Sequence, residues 1–292
     1  MATDLSTWRS AAAGELLALR NADGGWPYQA RSASATEPAA LAALALADAG
    51  AGDDTLAAVA DWLAARQRAE GLFTASPSHE EGSWLTPLAA LTLNRLGRTQ
   101  AAATAAQALL AAPAYSFGPS PPTIYGYDTS LVGWPWSPGA FSFIEPTAWA
   151  VLFLKQAGQA DQPRVRESID LMRNRALAAG GWNYGEPEVL GGRLFPADAP
   201  TALVLLALAD EQDDATAAGL DWLLTRRGQI TSLYSLGWAA IALNVLAVIT
   251  SDWQDDVVAT WSGLPIERRD AVGTALCLLG LRAGAGHPFA LG

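Results

Sequence analysis

The chain has 292 residues, 51% of them hydrophobic, and a formal charge of −11 with only 18 lysines and arginines. That balance argues against a nucleic-acid or anionic-membrane partner, since both demand clustered positive charge, and the single cysteine, Cys277, cannot form an internal disulfide. Met1 to Arg20 contains no basic region leading into an apolar one, and no apolar stretch reaches spanning length, so we expect a soluble, cytoplasmic protein without a transmembrane segment.

Alanine and leucine dominate while valine and isoleucine are sparse, which favours helix. In chain order the periodicity predicts an amphipathic helix over about 4–20. Behind the turn Asp23-Gly24-Gly25-Trp26, Thr36-Glu37-Pro38-Ala39-Ala40-Leu41 opens a helix over 38–49 that is apolar almost all round. Amphipathic 53–69, apolar 85–97 and amphipathic 98–111 follow. The longest connection then leads through Ile144-Glu145-Pro146-Thr147-Ala148-Trp149 into apolar 146–158. After amphipathic 161–178, Gly180-Gly181-Trp182-Asn183-Tyr184 repeats the earlier turn and Asp198-Ala199-Pro200-Thr201-Ala202-Leu203 opens apolar 199–210. Amphipathic 213–227, apolar 234–248, amphipathic 251–262 and apolar 271–283 complete the chain.

A helix without a polar face must be surrounded by protein. Six half-exposed helices alternating with six buried ones therefore predict an all-α fold, an α/α toroid with six inner and six outer helices spanning 1–292 as one domain. An open solenoid would leave its terminal buried helices uncovered. The connections sort by length: those from inner to outer helices are minimal, whereas 21–37, 70–84, 112–145 and 179–198 are long. The long ones all fall on the rim at the N-terminal ends of the inner helices, where a rigid scaffold usually carries its site.

The Gly-Gly-Trp turns, the acid-Pro-Thr-Ala helix starts and the alternating helices resemble the repeat shared by squalene-hopene cyclases and the β subunits of protein prenyltransferases. Tyr127-Asp128-Thr129-Ser130-Leu131-Val132-Gly133-Trp134-Pro135-Trp136 followed by Phe141-Ser142-Phe143-Ile144-Glu145-Pro146-Thr147 resembles small bacterial squalene-cyclase-like proteins of poorly defined role. The resemblance implies the toroid and an apolar or isoprenoid small-molecule partner, with peripheral membrane contact in some relatives. The Asp-x-Asp-Asp acid of the type II cyclases does not occur. Glu211-Gln212-Asp213-Asp214 and Asp252-Trp253-Gln254-Asp255-Asp256 come nearest, and both open outer helices, where acids complement the helix dipole. Nor do His79, His287 and Cys277 read as a convergent zinc set, so no metal and no cofactor is expected.

Four carboxylates stand at or just before inner-helix starts: Glu37, Glu145, Asp198 and Asp270. Capping explains each singly; together they would repel, raising the pKa of one until it serves as a proton donor. Asp128, among Tyr125, Tyr127, Trp134 and Trp136, is either a desolvated acid or the head of an Asx turn. The candidate acids are thus Asp128, Glu145 and Asp198. Trp134, Trp136, Phe141, Trp149, Tyr184 and Trp238, with Glu37, are the candidate lining of an apolar aromatic cavity suited to a carbocation or a polyisoprenoid chain. A non-catalytic binding or scaffold protein, and a carbohydrate-active enzyme, are the alternatives. Oligomeric state is not legible.

Overall fold

Runs of alanine and leucine define the inner helices, four of which carry a proline in the first turn, where no intrahelical N–H is needed. A computed structural model describes residues 4–113, 115–118, 126–189, 191–282, 284 and 286–291; Tyr125 lies outside them. Twelve α-helices occur among these residues. The outer set comprises α1 (Leu5–Ala18), α3 (Asp53–Ala64), α5 (Thr99–Ala111), α7 (Pro163–Asn174), α9 (Asp214–Thr225) and α11 (Ser251–Gly263). The inner set comprises α2 (Thr36–Asp48), α4 (Thr86–Arg95), α6 (Ile144–Gln156), α8 (Asp198–Ala207), α10 (Leu233–Val245) and α12 (Ala271–Gly280). Each inner helix packs on the next, and α12 packs on α2, so the ring closes as an α/α toroid. No helix among the described residues is long and apolar enough to cross a membrane.

The Gly-Trp turn lashes the first, third and fourth repeats together. Trp26, Trp134 and Trp182 donate their indole N–H to Leu16, Leu109 and Met172 carbonyls at 2.7, 3.0 and 2.7 Å, satisfying the last turn of the preceding outer helix. The backbone N–H groups of Trp134 and Trp182 donate to the hydroxyls of Thr147 and Thr201 on the next inner helix, both at 2.9 Å. A Cβ on Gly133 or Gly181 would stand 2.4 or 2.7 Å from those same hydroxyls, which is why glycine precedes each tryptophan. Phe73 donates to Thr86 at 2.9 Å and is the counterpart in the second repeat.

Packed side chains occupy the centre of the ring, a point that the sequence left open. From the second turn to the last, inner-helix side chains are almost wholly buried. Two causes are visible. Glycine lets α10 and α12 touch: a Cβ on Gly237 would lie 2.5 Å from Leu276 Cβ, and one on Gly280 2.6 Å from Ala240 Cβ. The C-terminal tail also inserts Phe289, fully buried, 5.6 Å from both Trp149 and Trp238, which themselves meet edge-on at 5.2 Å. Gln156 Nε2 donates to Pro288 and Ala290 carbonyls, each at 2.9 Å, and Arg95 to those of His287 and Pro288. The neutral His287 ring accepts from Phe289 N–H and donates to Leu279 O, both at 3.1 Å.

Candidate functional site

The four inner-helix acids have different fates at the mouth of the ring. Asp270 caps α12, accepting from Gly273 N–H at 2.7 Å, and Asp198 pairs with Arg226 at 2.9 Å. Those two are compensated locally, as helix-start acids usually are. Glu37 and Glu145 are only 8% and 3% exposed, and no cation among the described residues pairs with either. Their partners are phenols: Tyr28 donates to Glu37 Oε2 at 2.6 Å, and Tyr234 to Glu145 Oε1 at 3.1 Å.

A buried carboxylate without a cation is costly, so the neutral form gains. Burial, then the charge of Glu37, pushes Glu145 from 4.5 up to about 7 against the opposing hydrogen bond from Tyr234. Glu37 is raised by burial, with Asp270 adding to the shift and Tyr28 opposing it. Burial and then the two carboxylates hold Tyr28 and Tyr234 above the usual phenol value, so both remain donors. Among the described residues no hydrogen bond reaches Glu145 Oε2. Beneath Tyr234 lies Trp238, their ring centres 6.4 Å apart, and then the Trp149 and Phe289 cluster.

The remaining sequence candidates scatter. Tyr184 is half exposed at the mouth, raised by burial and then by Glu145 and Asp198. Trp149 and Trp238 form the floor described above and are fully enclosed, so they do not line an open cavity. Trp134 belongs to the repeat turn, with Arg164 already 4.4 Å over its ring. Trp136 meets Trp84 edge-on at 4.5 Å in a separate apolar slot of about 90 Å³ with Pro87 and Pro146 on its walls. Phe141 stacks on Phe117 at 4.3 Å, farther out along the long connection.

Asp128 is not desolvated. It is exposed and accepts from Ser130 N–H and Oγ at 2.9 and 2.6 Å, an Asx turn that holds its carboxyl below the usual value. The two near-miss acid strings are structural. Asp213 caps α9 in a reciprocal box with Thr216, while Asp252 and Asp256 each pair with Arg227 at 3.1 Å. Among the described residues no group of three or more histidine, cysteine, aspartate or glutamate side chains could hold a metal.

Tyr28 was the residue missed. Its signal was present, because Gly24-Gly25-Trp26-Pro27-Tyr28 and Gly180-Gly181-Trp182-Asn183-Tyr184 share the pattern Gly-Gly-Trp-x-Tyr, and both tyrosines come to the mouth.

No family model and no curated protein matches the chain. Among solved structures it is similar to the type II terpene cyclase MstE from Scytonema, at 19% identity over 92% of this chain and 80% of that one, TM-score 0.59. It is also similar to an alpha-amylase from Clostridium perfringens, at 10% identity over 97% and 99%, TM-score 0.64. Endoglucanase Cel10, a family 8 glycosyl hydrolase from Klebsiella pneumoniae, is similar at 15% identity over 93% and 97%, TM-score 0.56. Likeness at these identities defines the fold class, an α/α toroid, and leaves the chemistry to the site.

Proposed function

We propose that the chain is a terpenoid-cyclase-like acid that binds an apolar, isoprenoid-type small molecule at the mouth of the toroid and protonates it from Glu145. The observation that carries this reading is a nearly enclosed carboxyl, pushed up to about 7 by burial and by Glu37, with one oxygen unbonded above an aromatic floor. An acid that keeps its proton near neutral pH is matched to proton donation. The Glu145 O–H bond breaks as a C–H bond forms from the alkene π pair, leaving a cation on the adjacent carbon and a carboxylate on Glu145. Ring faces at the mouth stabilise that cation, and the cation ends by returning a proton to a carboxylate, Glu145 or Glu37. MstE, bound to geranylgeranyl dihydroxybenzoate in one of its structures, supports the substrate class by likeness of fold alone. In this reading the substrate sits at the rim, because packed side chains occupy the ring centre.

A second reading, a glycoside hydrolase, is favoured by the same pair of carboxylates in unequal environments. One experiment separates the two. Native mass spectrometry with organic extraction, followed by incubation with farnesyl and geranylgeranyl compounds and with malto- and cello-oligosaccharides, identifies the class that is bound and turned over. Glu145→Gln abolishes turnover, by a factor of about 10²–10⁴, in a folded chain. Full turnover in Glu145→Gln overturns the assignment, and a clean apo mass with neither class taken up leaves the toroid as a scaffold.

A further inference from the structure

Arg175 follows the last residue of α7 and is only 7% exposed, yet among the described residues no carboxylate comes within ion-pair distance of it. Its Nε has no hydrogen-bond partner. Nη1 donates to Gly185 O at 3.1 Å, and the guanidinium lies 4.0 Å over the ring of Tyr127. Glu186 and Asp128 act on it only through space; the Glu186 carboxylate is engaged by Tyr127 Oη at 2.9 Å. Arginine is rarely buried so deeply without a counter-ion, because an unpaired buried charge is expensive.

Arg175 stands in the wall of a pocket of about 210 Å³ shared with Tyr115, Phe117 and Phe141. Those three rings are mutually packed, Phe117 on Phe141 at 4.3 Å and Tyr115 edge-on to Phe141 at 4.9 Å, yet they remain 54%, 51% and 38% exposed. An aromatic wall on one side and an unpaired planar cation on the other call for a ligand with a flat apolar body and an anionic end. The pocket is smaller than the ~300 Å³ at which drug-sized sites begin, which suits a single ring. With Glu186 also in the pocket wall and Asp128 acting on Arg175, a singly charged carboxylate is tolerated better than a doubly charged phosphate, and its two oxygens match a guanidinium edge.

We propose that this pocket binds a small aromatic carboxylate, its carboxylate taken by Arg175 and its ring by Tyr115, Phe117 and Phe141. This site is independent of the acid chemistry assigned to Glu145 and stands or falls without it. The test is a calorimetric titration of the full chain with benzoate at pH 7, against benzamide and cyclohexanecarboxylate. Saturable benzoate binding, about tenfold or more tighter than either control, is expected. Arg175→Met and Phe117→Ala each weaken it about tenfold or more, and Glu186→Gln, which removes a repelling charge, tightens it. Phe117 is half exposed, so its variant keeps the fold whatever becomes of the arginine variant. Absence of saturable benzoate binding, equal binding of benzamide, or unchanged affinity in both weakening variants overturns the proposal.

Discussion

The two ends of the inner ring follow opposite electrostatic plans. At the C-terminal ends of the inner helices every buried charge that matters is answered: Asp48 lies between Arg9 and Arg282, Lys155 reaches Asp210 and Glu211, and Arg95 and Gln156 hold the tail. At the N-terminal ends Glu37 and Glu145 are buried with only phenols for partners. Two carboxylates buried without a cation cost stability at that end, and such perturbed groups cluster at functional sites.

The largest effect expected falls on the filled side. Phe289→Ala should cost about 3–5 kcal/mol, because it empties the contact between Trp149 and Trp238 inside a closed ring. Chemical denaturation measures the loss, which is independent of pH above about 7. A cost below about 1 kcal/mol would mean that the tail is not part of the core.

Glu145→Gln should move stability the other way. Well below pH 4.5 the carboxyl is neutral in both folded and unfolded chains. Between 4.5 and about 7 the unfolded chain ionises while the folded one holds its proton, so wild-type stability falls as pH rises. Above 7 the full cost of about 3 kcal/mol stands. The variant should therefore be more stable than wild type by up to that amount at pH 8 and equal to it near pH 4, a crossover that paired thermal melts reveal. His287 opposes this trend: burial lowers its pKa to about 4 from 6.5, so its contribution is full above 6.5 and is lost as pH falls toward 4. His287→Gln should remove that acid-side loss.

Smaller effects test the compensated end. Asp213→Ala removes a capping box and one ion pair to Arg173, and should cost about 1–2 kcal/mol. Ala247 adopts φ +57° where Gly50, Gly97 and Gly158 end three other inner helices. Ala247→Gly should thus stabilise by about 1 kcal/mol.

The helices were legible because two periodicities alternate without interruption, and their N-terminal starts were marked by acid and proline. The C-terminal ends were read too long, 53–69 against Asp53–Ala64 and 161–178 against Pro163–Asn174, because the turns leading to each Gly-Trp or its counterpart keep a helix-like composition. In the site, Glu37 and Glu145 were visible as helix-start acids. Their partners were not all visible: Tyr234 joins Glu145 across 89 residues, and no local pattern encodes such a pairing. Of the two readings open for Asp128, the structure shows the Asx turn, because aromatic neighbours in sequence do not imply burial in space. Whether the ring centre is open or filled was not legible, because glycine contacts between α10 and α12 and the inserted Phe289 decide whether a lumen survives.

The most direct test of the central claim is a carbon-detected NMR titration of the glutamate side-chain carboxyls, with the Glu145 resonance assigned by its absence in Glu145→Gln. A midpoint near 7 is the value the mouth geometry predicts. A midpoint between about 4 and 5, the range of an ordinary solvated glutamate, would contradict it and remove the proton donor from the proposed chemistry.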